Sequence, residues 1–293
     1  MDELSYEAIE MNREIGPWKY PLADRIGRYL EAIENAEPWH AGRSPWGPPV
    51  APPTILGVAG VRFIDQVGPV PPGTLHARQE IETTSALRLD RQLIGYGKFT
   101  EKFEKRGRKW FTFESRWRDE TGLMIGNSRV TMAMPMPPGA APAEGEGKKR
   151  EEEGQRKEGS LGPISRTLTQ EMMTAYSEDS ANAQRGRSIH VQPNVAKEAG
   201  YPATLAQGLM AADYIGELME RELGKEWYAY AGLSIAFLRP MLCGETVTAA
   251  ARLAEAAPEG AVVRRAYEVW CENERGDLTA AGKASALVMR EAS

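Results

Sequence analysis

The feature that most narrows the folds open to this chain is a pattern that occurs twice: apolar residues at helical spacing, then four strand-like runs. In the first copy, residues 20–40 place Ile26, Tyr29, Leu30 and Ile33 at helical intervals, and a proline-rich run over 47–54 leads into an apolar stretch over 55–63. Prolines suit a first helical turn, whose backbone N–H groups have no partner inside the helix. Strand-like runs follow over 75–84, 86–103, 109–119 and 123–134. In the second copy Thr169 is placed to cap a helix over 170–176. A longer helix over 205–222 carries the apolar stripe Leu209, Ala212, Ile215, Gly216 and Met219, and Gly224 marks its end. Runs over 228–238, 246–255, 261–273 and 278–290 complete the copy. A helix with one apolar face is buried when an antiparallel sheet wraps around it. The repeat therefore predicts an α+β fold of two such units side by side, their sheets forming one surface.

Between the copies, residues 136–160 are rich in Pro and Gly and then densely charged, without apolar periodicity. Such a stretch buries too little to offset its ordering entropy and reads as a flexible linker. The expected division is a first unit over 1–135, a linker over 136–160 and a second unit over 161–293. Lys148, Lys149 and Arg150 are followed at once by Glu151, Glu152 and Glu153, which argues against a nucleic-acid patch.

With 293 residues, 42% of them hydrophobic, the chain can build a sizeable core, and its net charge of −5 speaks against nucleic-acid binding. No apolar run approaches the roughly 18 residues of a membrane-spanning helix. The acidic, mixed N-terminus is unlike a secretory leader. Cys243 and Cys271 have neither a CxxC neighbour nor a histidine at metal spacing, so two unlinked thiols in a reducing cytoplasm are expected, with no metal site.

The chemistry concentrates in residues 176–210. His190 is the only histidine in the second half of the chain; Asp179 precedes it by 11 residues, and Ala206, Gln207, Gly208, Leu209 and Met210 open the long helix just after it. A carboxylate, an imidazole and the N–H groups of a helix start are the parts needed to move water across a carbon–carbon double bond beside a thioester. The first two share proton transfer, and the third steadies the enolate oxygen. A glycine at position 208 lets a carbonyl approach that N–H closely. Arg185 and Arg187 are placed to meet a CoA phosphate or a second carboxylate on the substrate. In the first copy, Asn35 precedes His40 by five residues, and an amide cannot act as a general base. His76 reads as structural.

From His190 onward the sequence HVQPNVAKEAGYPATLAQGLM resembles the MaoC-like (R)-specific enoyl-CoA hydratases, whose segment runs roughly Y-x-x-x-S-G-D-x-N-P-x-H, then D-P-x-x-A-x-x-A-G-F, then A-x-G-M ahead of a long helix. Pro193, Ala196, Ala199, Gly200, Tyr201 and residues 206–210 fall in step, as does residue 237 onward, FLRPMLCGET, with the family's F-x-R-P-V-x-x-G-D-T corner. The proline-rich run through Thr54 resembles the A-P-P-T of the N-terminal dehydratase-like halves. This chain departs by Glu178 for a glycine, by Gln207 where a histidine is common, and by about six extra residues between Asp179 and His190, which the match accommodates over 181–188 as an outward bulge.

The resemblance implies a double hotdog, with a degenerate first unit that walls the acyl site and a catalytic second one. It also implies a hydro-lyase that reversibly hydrates a trans-2-enoyl-CoA or dehydrates an (R)-3-hydroxyacyl-CoA. Asp179 and His190 would be the acid/base pair, the Gly208 N–H the oxyanion donor, and Asn182, Arg185, Arg187 and Gln207 the substrate contacts. CoA arrives with the substrate, no separate cofactor is required, and a homodimer is left open. A mesaconyl-type branched or dicarboxylic acyl-CoA, a non-catalytic acyl-thioester binder and a hotdog thioesterase stay as alternatives.

Overall fold

The computed structural model describes residues 2–135 and 160–290. The linker expected over 136–160 lies, but for its last residue, outside the described residues.

The first unit comprises strand β1 (Ile15–Tyr20), helix α1 (Leu22–Ile33), helix α2 (Ile55–Val67) and strands β2 (Leu75–Thr83), β3 (Leu93–Lys105), β4 (Arg108–Asp119) and β5 (Met124–Ala133). The second repeats the order: β6 (Ile164–Thr167), α3 (Gln170–Ser177), two short helices α4 (Ala181–Gln184) and α5 (Pro193–Glu198), the long helix α6 (Gly208–Leu223), then β7 (Ala231–Phe237), β8 (Thr246–Glu259), β9 (Val262–Asn273) and β10 (Leu278–Met289). All ten strands join one sheet in the order β1-β3-β4-β5-β2-β7-β10-β9-β8-β6, each half mirroring the other. The seam is the antiparallel pair β2–β7, registered from Arg78 opposite Ala236 to Glu82 opposite Gly232. The expected continuous sheet is thus present.

Strand burial alternates because one face of the sheet packs on helices and the other meets solvent. Along β3 the alternation holds from Leu93 to Phe99 and gives way to exposure where the β3–β4 hairpin runs past the helix. Under the first half, Phe63 of α2 meets Phe113 and Trp117 of β4 at centroid distances of 5.5 and 5.9 Å. Under the second half, α6 packs on β8, β10 and β9. A β-carbon on Gly216 of α6 would lie 2.6 Å from the Thr54 methyl carbon, so the two long helices approach at a point where only glycine fits.

Three expectations need correction. Residues 86–92 are not in β3; Ala51 N–H donates to the Leu87 carbonyl at 2.8 Å and Leu89 N–H to the Pro49 carbonyl at 2.8 Å, so this stretch pairs with the run leading into α2. The segment 181–188 does not bulge outward. It forms α4 and docks on the first unit, where Ala181 N–H meets Asp65 Oδ2 at 3.2 Å and Asn182 Nδ2 the Val70 carbonyl at 3.0 Å. The edge strands β1 and β6 were not foreseen at all. Cys243 is half-buried, Cys271 is buried, and both are unlinked. Among the described residues no helix is long and apolar enough to cross a membrane.

Candidate active site

His190 is fixed by its backbone and by one ring nitrogen. Its N–H meets Ser188 Oγ at 3.2 Å and its carbonyl accepts from Gln170 Nε2 at 3.0 Å. Nδ1 lies 2.8 Å from the Leu205 carbonyl; a carbonyl only accepts, so Nδ1 carries the proton and Nε2 presents a lone pair. Burial above all, assisted by the Arg62 guanidinium, lowers the imidazole to about 4. The ring is therefore neutral near pH 7, the state a general base requires.

The start of α6 follows Leu205 by three residues. Gln207 is its N-cap, but its side chain makes no capping bond; Nε2 donates instead to Ser177 Oγ at 3.0 Å. The first-turn N–H groups, Gly208 among them, consequently have no side-chain partner at the cap, and the helix dipole favours negative charge there. Gly208 also has a packing reason: a β-carbon there would lie 2.9 Å from the Phe237 ring.

Asp179 follows α3, and both its oxygens are engaged by the other unit. Oδ2 is 2.5 Å from Arg25 Nη1, on α1, and Oδ1 is 2.9 Å from Arg62 Nε, on α2. Arg62 Nη2 also donates to the Tyr176 carbonyl at 3.3 Å. Asp179 and His190 make no hydrogen bond to each other; Arg62 is what they have in common, pairing with one and depressing the basicity of the other. Of the expected substrate contacts, Asn182 holds Val70 with its amide nitrogen while its Oδ1 is buried without a partner. Arg187 pairs with Glu3 at 2.6 Å. Arg185 lies near enough to Asp65 to affect its carboxyl.

The sequence reading missed a row of acids on α6. Asp213, Glu217 and Glu220 are all buried. Asp213 accepts from Tyr29 Oη at 2.7 Å and Tyr176 Oη at 2.6 Å, one phenol from each unit, and burial raises its carboxyl to about 6 despite those bonds. Glu217 pairs with Arg166 at 3.1 Å and with Arg221. Glu220 accepts from Asn35 Nδ2 at 3.0 Å and faces His40 Nε2 at 3.3 Å. The spacing of 213, 217 and 220 keeps these acids on the face of the apolar stripe, and that was the available signal.

The first unit repeats the framework of the second. His40 Nδ1 reaches the Val50 carbonyl at 2.8 Å, as His190 reaches Leu205. Ala51 N–H and Ala206 N–H make matching bonds, to Leu87 and Met241. Pro53 then stands where the second unit has Gly208, and proline has no N–H to give. Two shallow crevices open on this side, sharing Pro53 and Thr83 in their walls. Among the described residues no three His, Cys, Asp or Glu side chains could hold a metal ion.

Two sheet-on-helix units fused through a central strand pair, with one histidine-and-helix-start arrangement in each, define a double hotdog, the fold of MaoC-like dehydratases. No family model matches the sequence, and no curated protein matches it. Solved structures do. A MaoC-like dehydratase matches with a TM-score of 0.73 at 15% identity, over 98% of this chain and 100% of the other. One from Phytophthora capsici gives 0.67 at 16%, over 96% of each chain. A Mycobacterium tuberculosis protein described as having a double hotdog fold gives 0.64 at 10%, over 98% of each.

Proposed function

We propose that the chain is a hydro-lyase acting on acyl thioesters: it adds water reversibly to a trans-2-enoyl-CoA, or removes it from an (R)-3-hydroxyacyl-CoA. The observation that carries this reading is His190, a neutral imidazole whose Nδ1 is pinned and whose Nε2 lone pair is left for chemistry, three residues and a carbonyl away from a helix start without a side-chain cap. In the hydration direction Nε2 takes a proton from water as its oxygen bonds to the β-carbon. The electron pair of the double bond shifts toward the thioester oxygen, which the Gly208 N–H steadies, and the α-carbon then receives a proton from the imidazolium. Asp179 keeps lone pairs beyond its two ion pairs and can still accept from that water. Chemistry belongs to residues 161–293 in this reading, while residues 1–135 supply walls and the two arginines.

The test is loss of the conjugated enoyl absorbance with crotonyl-CoA and longer enoyl-CoAs. Wild type turns over, and His190→Ala loses about 100-fold or more in kcat/KM. A wild type inert on the whole panel overturns the proposal, and free thiol release would instead identify a thioesterase. A second reading, a non-catalytic acyl-thioester binder, is favoured by the engagement of both Asp179 oxygens. CoA-ester binding without turnover would select it.

A further inference from the structure

Phe103, Trp110, Ala133 and Leu75 stand directly opposite one another on β3, β4, β5 and β2. Residues paired in this way share a face, so they form one row, about 14 Å long at the usual strand spacing. Phe113 of β4 meets Phe63 of α2, and Trp110, three residues away along the strand, therefore lies on the opposite, solvent side of the sheet. Leu75 and Phe103 are 41% and 36% exposed, and the Phe103 ring stacks on Trp110 with 5.8 Å between centroids. The hairpin turn beside them places Lys105 opposite Arg108 on the same face, with Arg106 exposed at the tip. Arg108 donates to the Met134 carbonyl at 3.4 Å, and none of these three cations pairs with an acid among the described residues. The nearby acids are engaged elsewhere: Glu101 with Arg129 at 2.9 Å, and Glu7 with Lys109, which Glu104 also attends, on the other face of the hairpin. The fold itself does not require this chemistry. The matching hairpin of the second unit has Ala256, Ala257 and Pro258 before its turn, and there Glu259 holds Arg264 at 2.7 Å.

We propose that this corner of the sheet docks on an anionic lipid surface, with Lys105, Arg106 and Arg108 among the headgroups and Phe103, Trp110 and Leu75 at the boundary with the acyl chains. Aromatic rings settle at that boundary, and cations beside them are drawn by the negative surface potential. The chain lies on the surface and does not span it. Its net charge of −5 opposes any other approach, so attachment is confined to the one corner where the cations are unpaired and takes a single orientation. A second copy is a poorer occupant, because a two-fold contact through this corner sets the same three cations against themselves. An acidic protein would answer the cations, but a folded partner must also match a flat apolar row in shape, which fluid lipid need not.

The experiment sediments the full chain with vesicles of phosphatidylcholine alone and of phosphatidylcholine with about 30% phosphatidylserine. Each cation near such a surface strengthens partition about fivefold, so wild type is expected to favour the anionic vesicles by at least about tenfold. That preference is expected to shrink as salt rises from about 50 to about 500 mM. The double variant Lys105→Glu, Arg106→Glu is expected to lose it, and Phe103→Ser to weaken binding to the anionic vesicles about fivefold, each with a Tm near that of wild type. Wild type that stays in the supernatant with both vesicles overturns the proposal, as does binding indifferent to the charge reversal. Binding that Phe103→Ser leaves unchanged, matched by equal binding to soluble polyglutamate, makes an acidic protein the occupant and overturns the lipid assignment. A concentration-dependent rise in mass that Phe103→Ser abolishes, without vesicle binding, makes a second copy the occupant and overturns it too.

Discussion

His40 in the first unit meets Glu220 in the second at 3.3 Å, a histidine–carboxylate contact made across the seam between units rather than within one. Asn35 completes it by donating to the same carboxylate oxygen at 3.0 Å. Burial works against a charge on His40, yet Glu220 overrides it and holds the imidazole above its ordinary value. This contact therefore stabilises the fold below about pH 6.5, and the contribution fades as pH rises past the elevated value.

Restoring an acid in the first unit should not restore chemistry there. Asn35→Asp would set a second carboxylate against Glu220 in a buried space, and Pro53 still offers no oxyanion donor. The expected outcome is a loss of about 2–4 kcal/mol in denaturant unfolding at neutral pH, with no gain in turnover per chain. A stable variant with raised kcat would contradict this.

Gly208→Ala should destabilise α6 through Phe237, because the added carbon falls 2.9 Å from the ring. A cost of about 1–3 kcal/mol is expected, recovered in part by pairing it with Phe237→Leu. If the double variant is no more stable than the single one, the glycine is not there for the ring.

Asp213 gives the protein a stability that declines with rising pH. Its folded value of about 6 exceeds the ordinary carboxylate value near 4, so between those points the native state binds more protons than the unfolded chain. Stability from this group is complete below about pH 4 and is lost by about pH 6, a span on the order of 3 kcal/mol. Asp213→Asn keeps a hydrogen-bonding amide between Tyr29 and Tyr176 without the titration. Its Tm relative to wild type should therefore climb from about pH 4 to pH 7; parallel curves would show that the carboxyl is not displaced.

For His190 the sign is opposite. Its value of about 4 lies below the ordinary one near 6.5, so the neutral base persists well into acid. The acid limb of kcat/KM, measured within the range where the fold survives, should stay flat to about pH 5 and fall only nearer 4. An inflection near 6.5 would mean that the ring is solvated in the working enzyme.

What could be read in advance followed strong periodic signals. Helix α6, the hairpin strands and the His190-to-Gly208 segment announce themselves through apolar spacing and through a glycine and a histidine at a helix start. Strands β1 and β6 did not, being short edge strands of six and four residues. Asp213, Glu217, Glu220 and Arg62 were passed over because a charged helical residue ordinarily faces water, and the partners that let these stay inside lie far away in sequence, several of them in the opposite unit. The arginines on Asp179 were invisible for the same reason: Arg62 lies more than a hundred positions upstream, and no local pattern links them.

The seam of β2 against β7 has a consequence for how such a chain can change over time. Each unit keeps the ionic partners of the other's polar groups, Arg62 for Asp179 and Glu220 for His40, so neither unit is an interchangeable module. A chimaera that joins one unit to a foreign second copy would inherit orphaned charges on both sides of the join. A substitution at one of these positions therefore calls for an answering one in the opposite unit.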